Sequence, residues 1–597
     1  MVRYARIDDD DDDNQGRYYP ASRCFILLLG VAAIISSRWW WWWIATKKNT
    51  ILSISSSSED EEVLNVEISN LYEVAARRKI GDGLYPYEYL AEIHRETTLR
   101  ATPGVACEWE LDDETIVTGC VATRVWTSVG QKIVRVTADA TKQREIRVYV
   151  KYVRRELREL DVDDRERYLS AVAILYRVDT DVGARQWGPN YKSAAWLVRE
   201  HLYGAASREC DHWHDDAGFL NHHVGITFQF ERSIQAVDAA VSASYWDYTI
   251  DASESFSKSL VFATTWFGPA SPPSDSHVVD SGRFAYAPVP FSSSSFSTIK
   301  NPYGLLRSPW NTNPVPYLLR FDQVLGMKHD GYLLTTCEDF AATLDDDEKT
   351  SLSVIVSRLN GKLHGPIHIM IGGRPLARLL ASKFLWRQGY LRCPETCSAD
   401  ADFRACACSC PAADDAYQVL RNSGLLDINK SWRSPEKNDW RKILEFLCHV
   451  GHPGDMFTSA APQDPIFWPL HGNAERFVHL VRLLRARGEK SFDETWGYAH
   501  VTNGLDSDTR VVCDWTNVAG MQRPTCDRGE TCPGHKKNDL LPFRRGLFDD
   551  DDDDDERHLT NAEFYNLTSP LNPDLPYVYD RLTYWPACRD QTIWHHR

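Results

Sequence analysis

The chain has no excess of basic charge: 67 Lys and Arg stand against 84 Asp and Glu, for a formal net charge of -17. A protein that grips nucleic acid needs a basic face against the phosphates, so nucleic acid is not among the expected partners. The acidity is itself local. Asp8 to Asp13 and Asp549 to Asp555 contribute thirteen aspartates in two uninterrupted runs, and the rest of the chain is close to neutral. Such runs repel themselves and read as solvated loops or tails, and without turn residues they do not form a calcium loop. No internal repeat of fixed period is present, which sets aside solenoids and propellers. The cysteines lack a paired C-x2-C, which counts against a zinc knuckle.

A core is well provided for, since 43% of the 597 residues are hydrophobic and 12% aromatic. That length calls for two to four domains or large insertions. Residues 1–23 read as an acidic tail. Residues 24–45 follow, with an apolar run from Cys24 to Ile35, a break at Ser36 to Arg38, and five tryptophans from Trp39 to Trp43. This is the pattern of a signal anchor or of a cleaved signal peptide. The expectation is a single-pass membrane protein with a lumenal or extracellular catalytic domain, held to the membrane through this segment, or a secreted protein if the segment is removed.

Cysteine usage agrees with export. Cys393, Cys397, Cys406, Cys408 and Cys410 crowd one stretch, and Cys513, Cys526 and Cys532 another. In an exported chain they read as a disulfide framework that staples loop-rich insertions. Asn429-Lys430-Ser431 and Asn566-Leu567-Thr568 are glycosylation sequons.

Residues 46–85 begin Ser- and acid-rich and read as a stalk. Over 86–152 short segments such as KIVRVTAD and REIRVYVKYV alternate apolar and polar residues, the period of half-buried strands. A small β-sandwich-like domain is expected there, with Cys107 and Cys120 as a staple. From Val153 the period becomes helical, with Asp161 or Asp163 placed to cap a helix. Residues 153–490 read as a helical core with long loops and a Cys-rich insertion at 374–450. Residues 491–597 form a C-terminal extension that packs across the core or covers it as a lid.

The histidines carry the chemistry. Neutral imidazole is the commonest ligand for copper, zinc and iron, and two clusters far apart in sequence point to two metals brought together by folding. His364 and His368 are four apart in LHGPIHIMIGG, so on a helix they share one face. His214 and His223 have Gly218 between them in HDDAGFLNHHVGITFQFER and need one loop position and one helical position.

These strings resemble the tyrosinase, catechol oxidase and haemocyanin group of type 3 dicopper proteins. FLNHHVGITFQFERSIQAV is similar to that group's first copper motif, with Phe219, His223 and Glu231 in its fixed places. LHGPIHIMIGG is similar to the paired histidines of its second site, and DPIFWPLHGNAERF to its third ligand. The resemblance implies a mainly α catalytic core, an antiparallel four-helix bundle holding two copper ions, beside the β-sandwich-like domain. It implies that His201, His214 and His223 hold one copper and His364, His368 and His471 the other. Glu231 and Asp464 are then expected to orient ligand imidazoles, and Phe467 and Trp468 to pack beneath the second copper. The implied activity is oxidation of o-diphenols to o-quinones with dioxygen as co-substrate, phenolic small molecules being the partners. Gly365 stands where monophenol-hydroxylating relatives often have Asn, and Asn360 where an acid often helps hold a water, so diphenol oxidation is expected over monophenol hydroxylation. A dioxygen carrier with the same histidines, and a copper-free structural or adhesion protein on the same fold, are the alternatives.

Overall fold

In a computed structural model of the chain, the described residues are 64–594 without 103, 206–212, 215–217, 254, 273–276, 292–302, 308–312, 322, 325–326, 329–333, 346–350, 373–384, 387, 394–407, 423–443, 445–447, 449–452, 492, 495, 497–535 and 549–556. The acidic runs, the 24–45 segment and Cys210, Cys397 and Cys406 lie outside them.

Alternation of apolar and polar residues builds two sheets. Strands β1 (Asn65–Asn70), β3 (Glu96–Thr102) and β6 (Val121–Val125) form one in that order. The other runs β13–β8–β7–β4–β5, from β13 (Tyr577–Tyr579), β8 (Lys142–Arg154), β7 (Gly130–Ala138), β4 (Cys107–Glu110) and β5 (Ile116–Thr118), and β2 (Tyr89–Glu92) also pairs with β8. Val134, Val136 and Ala138 on β7, and Ile146, Val148 and Val150 on β8, point to the buried side, as the two-residue period requires. Cys107 and Cys120 form the expected disulfide. Residues 65–85, read from sequence as stalk, instead supply β1 and a short helix α1 (Leu71–Ala76), whose start is closed by a reciprocal capping box between Asn70 and Glu73.

β13 comes from the C-terminal extension and runs parallel to β8, with Tyr577 opposite Tyr152 and Tyr579 opposite Arg154. The extension is thus built into a sheet begun some four hundred residues earlier. Its strand β11 (Leu540–Arg544) pairs with β12 (His558–Thr560), which leads into the helix Asn561–Leu567. A disulfide between Cys337 and Cys588 ties its far end to the helical region.

Helices carry the centre of the chain: α2 (Val162–Leu175), α3 (Thr180–Trp187), α4 (Ala194–Ala205), α5 (Gly218–Val237), α6 (Cys337–Asp345), α7 (Leu352–Arg358), α8 (Gly365–Gly372), α9 (Ala413–Asn422), α10 (Phe467–Ala486) and α11, the Asn561–Leu567 helix already met. Asp161 is the cap of α2, its carboxylate accepting from the Asp164 amide at 2.8 Å. α5 and α10 are buried along most of their length, including their polar residues, so they are central and not surface helices. In the Cys-rich insertion, Leu385, Leu391, Leu420 and Leu444 form a small core together with Phe457 just beyond it, and the Cys393–Cys408 and Cys410–Cys448 disulfides staple it.

One expectation is corrected. No helix among the described residues is long and apolar enough to cross a membrane. The single-pass placement therefore has no spanning helix to rest on, its one candidate, 24–45, lying outside the described residues.

Candidate metal centre

His201, His214 and His223 come together, and so do His364, His368 and His471: within each group one ring nitrogen per residue lies within 4.8 Å of the others. His201 sits in α4 and His223 in the second turn of α5, while His214 occupies the turn before α5. His471 lies in the first turns of α10 and His368 in the middle of α8. His364 ends a single π-helical turn, Leu359–His364, in which the Gly365 amide donates to the Asn360 carbonyl five residues back. His364 and His368, four residues apart, lie with ring centroids 5.0 Å apart and planes 82° apart, converging edge to face.

Four of the six imidazoles are fixed through Nδ1. His201 Nδ1 reaches the Ser459 carbonyl at 2.6 Å, His223 the Phe219 carbonyl at 2.7 Å, His364 the Leu359 carbonyl at 3.2 Å and His368 the Met456 carbonyl at 3.1 Å. A carbonyl only accepts, so these four Nδ1 atoms carry the proton and each Nε2 presents a lone pair. In the second triad His368 Nε2 lies 3.3 Å from His471 Nε2, and in the first the consequence is direct: the lone pairs of His201 Nε2 and His223 Nε2 face each other at 3.4 Å. Two lone pairs at that separation repel unless a cation lies between or beside them. The donor set, three imidazoles per group, fits copper.

Electrostatics keeps four of the rings neutral. Burial, and then neighbouring histidines, hold His223, His368 and His471 well below the ordinary histidine range, and burial brings His364 down to about 3. A protonated imidazole cannot ligate, so the site is kept ready for metal at neutral pH.

The carbonyls of Met456 and Ser459 belong to one loop, so a single segment orients one histidine of each triad. That loop is held by a fully buried pair in which the Arg307 Nε donates to Asp455 at 2.8 Å, while Asp455 also accepts from the Leu319 amide at 2.9 Å. Sequence reading looked for carboxylates in this orienting role. Glu231 and Asp464 do not fill it: Glu231 is bound by Arg154, and Asp464 takes two bonds of 2.7 Å from Arg320. The backbone carbonyls that act instead carry no residue-type signal. Arg307 and Asp455 also went unnoticed, because neither stands near a histidine in sequence.

Phe467 spans both groups, with its centroid 4.1 Å from His471, 5.5 Å from His201 and 5.8 Å from His368. Trp468 turns into the core, stacked on Phe230 at 4.3 Å and donating to Tyr176 at 3.1 Å. His222 is buried against Trp213, its Nδ1 bonded to the Gly218 carbonyl at 2.7 Å. Asn360 turns its amide to the His214 carbonyl at 2.5 Å and so links the second triad's π turn to the first triad's loop. A Cβ on Gly365 would stand 2.5 Å from the Asn360 carbonyl oxygen, which accounts for glycine there on steric grounds. Beside His223 and His471 lies a cavity of about 10 Å³, room for roughly one water, walled also by Phe219, Leu359 and Glu475. The larger cleft of about 420 Å³, between Arg78 and Tyr584, is lined by none of the six histidines.

Residues 188–482, the stretch that holds all six histidines, match the common central domain of tyrosinase. Among solved structures the chain is similar to a tyrosinase from Burkholderia thailandensis at high pH, with 14% identity over 63% of this chain and 69% of that one and a TM-score of 0.26. It is similar to the same enzyme at low pH, with 14% identity over 72% and 74% and a TM-score of 0.29. Comparison with curated proteins gives no match. The match to the common central domain of tyrosinase thus takes in both histidine triads and the helices that carry them.

Proposed function

We propose that this chain is a copper-dependent oxidoreductase that converts o-diphenols to o-quinones, with dioxygen as co-substrate. The observation that carries the reading is the pair of histidine triads, with the Nε2 lone pairs of His201 and His223 facing each other in the first. His201, His214 and His223 would hold one copper ion, and His364, His368 and His471 the other. Two copper ions so held would supply a two-electron oxidant that dioxygen regenerates. Each diphenol gives up two electrons and two protons, and two turnovers reduce one dioxygen to two waters. The chain's own part is to keep His223, His364, His368 and His471 neutral, fix four imidazoles through backbone carbonyls and exclude water with Phe219 and Phe467. We read the four helical segments that bear the ligands as an antiparallel four-helix bundle, and the N-terminal strands as a sandwich-like domain beside it.

Diphenol preference rests on Asn360 and Gly365. A monophenol binds a metal well only after losing its proton, which calls for a nearby base. Asn360 has none to offer, and its amide is committed to the His214 carbonyl.

A dioxygen carrier is the second reading, favoured by one observation: the cavity beside His223 and His471 admits about one water, not a phenol. Copper analysis and oxygen uptake with catechol and with its matching monophenol separate the readings. Two coppers, with oxygen consumed and quinone formed from catechol, support the oxidase. Two coppers with reversible oxygen binding and no quinone support the carrier, and no copper removes both. Equal rates on the two phenols remove the diphenol preference.

A further inference from the structure

We infer that Arg154 is a positioning residue that sets the separation between the two metal sites, an inference that rests on the two-copper reading. Arg154 is the last residue of β8 and is fully buried. Its guanidinium divides between two carboxylates. Nε and Nη2 donate to Glu231 on α5, at 3.1 Å and 2.5 Å to Oε2, and Nη1 donates to Glu475 on α10 at 2.8 Å. Glu231 lies eight residues after His223 on α5, and Glu475 one turn after His471 on α10. One rigid, planar group therefore joins the helix that bears a ligand of the first triad to the helix that bears a ligand of the second. Its fork fixes two directions at once, which the single ammonium of lysine does not.

The clamp is closed from the C-terminal extension. The Tyr577 ring lies 3.4 Å from the Arg154 guanidinium carbon, and its hydroxyl donates to Glu475. Arg154 Nη1 also donates to the Tyr579 hydroxyl at 3.0 Å. Glu231 is held from its other side by the Ala243 amide at 2.7 Å. With each of these groups buried and bonded, α5 and α10 have little freedom to slide past one another. The readout at the metal end is the contact of His223 and His471, whose rings stack at 4.5 Å and 7°. Glu475 lines the same small cavity as those two rings. Two ions that share one small bridging ligand need a fixed distance, and neither triad alone sets it.

The test compares the full-length wild type with Arg154→Lys, each loaded with cupric ion and examined for copper content and by electron paramagnetic resonance. Two cupric ions held close and bridged couple their spins and give little signal, whereas two ions at a looser distance are visible. The expected result is two coppers per chain in both proteins, with a signal that rises several-fold in Arg154→Lys. Should that variant fail to fold, Tyr579→Phe, which removes one bond and keeps the guanidinium, is expected to show the same change in smaller degree. A variant that keeps two coppers and stays silent overturns the inference. A wild type that binds no copper overturns the two-copper reading and the inference with it, whereas a wild type with two visible ions overturns the inference alone.

Discussion

The imidazoles of His223 and His471 lie parallel, with planes 7° apart and centroids 4.5 Å apart, although 248 positions separate them in the chain. Each belongs to a different triad. The stacked pair is the point at which the two candidate metal sites meet, and each triad's loss is expected to show separately.

Replacing His471 by alanine leaves His364 and His368 with two ligands and the first triad intact. Copper content after reconstitution is expected to fall from two ions to one per chain, with quinone formation lost. Retention of two tightly held ions in His471→Ala would remove His471 from the ligand set.

Acid is expected to destabilise the metal-free protein. His364 is lowered from 6.5 to about 3, and His223, His368 and His471 are also held well below 6.5 by burial. Below 6.5 the unfolded chain takes up protons that the folded chain refuses, so stability is fully present above 6.5 and falls as the pH drops toward 3. Each such histidine contributes a slope of about 1.4 kcal/mol per pH unit in that window. Urea unfolding of apoprotein at several pH values measures the slope; a midpoint that does not move between pH 6.5 and 4.5 would contradict it.

Arg307→Gln leaves Asp455 buried without its guanidinium and frees the loop that supplies the Met456 and Ser459 carbonyls. Breaking a buried pair typically costs about 3–5 kcal/mol, and losing the groups that orient ligands typically costs about 10- to 100-fold in metal affinity. Because the loop serves His201 and His368, copper titration is expected to weaken at both sites together. Weakening at one site alone would show that the loop does not couple them.

Gly365→Ala brings a Cβ to 2.5 Å from the Asn360 carbonyl oxygen, a backbone atom that cannot swing aside. The π turn has to shift, at a cost of about 1–3 kcal/mol. Reduced thermal stability with weaker copper binding at the second triad is the expected outcome, and a variant as stable as the wild type would show that the turn accommodates a side chain.

Gly225 on α5 presents bare backbone to Phe543 of β11, whose ring would stand 2.2 Å from an added Cβ. Gly225→Ala is expected to destabilise the protein, and to do so much less in a Phe543→Leu background, with a coupling of about 1 kcal/mol or more. Additive effects in a denaturation cycle would mean that β11 does not press on α5.

The strand period of β7 and β8, a helix cap at Asp161 or Asp163, the Cys107–Cys120 staple and the two clusters of histidines were legible in the sequence, because each is written in local spacing and residue type. Flanking residues such as Phe219 and the Asp464-Pro-Ile-Phe467 lead fixed which histidines to group. What orients those histidines was decided only in three dimensions. Backbone carbonyls bear no side-chain signature, so Ser459 and Met456 were illegible, and Glu231 and Asp464, which looked like partners for imidazole, were claimed by Arg154 and Arg320. The return of Tyr577 to Tyr579 beside β8, and the stacking of His223 on His471, join residues hundreds of positions apart. Such contacts are set by the packing of whole helices and sheets, which no local pattern encodes.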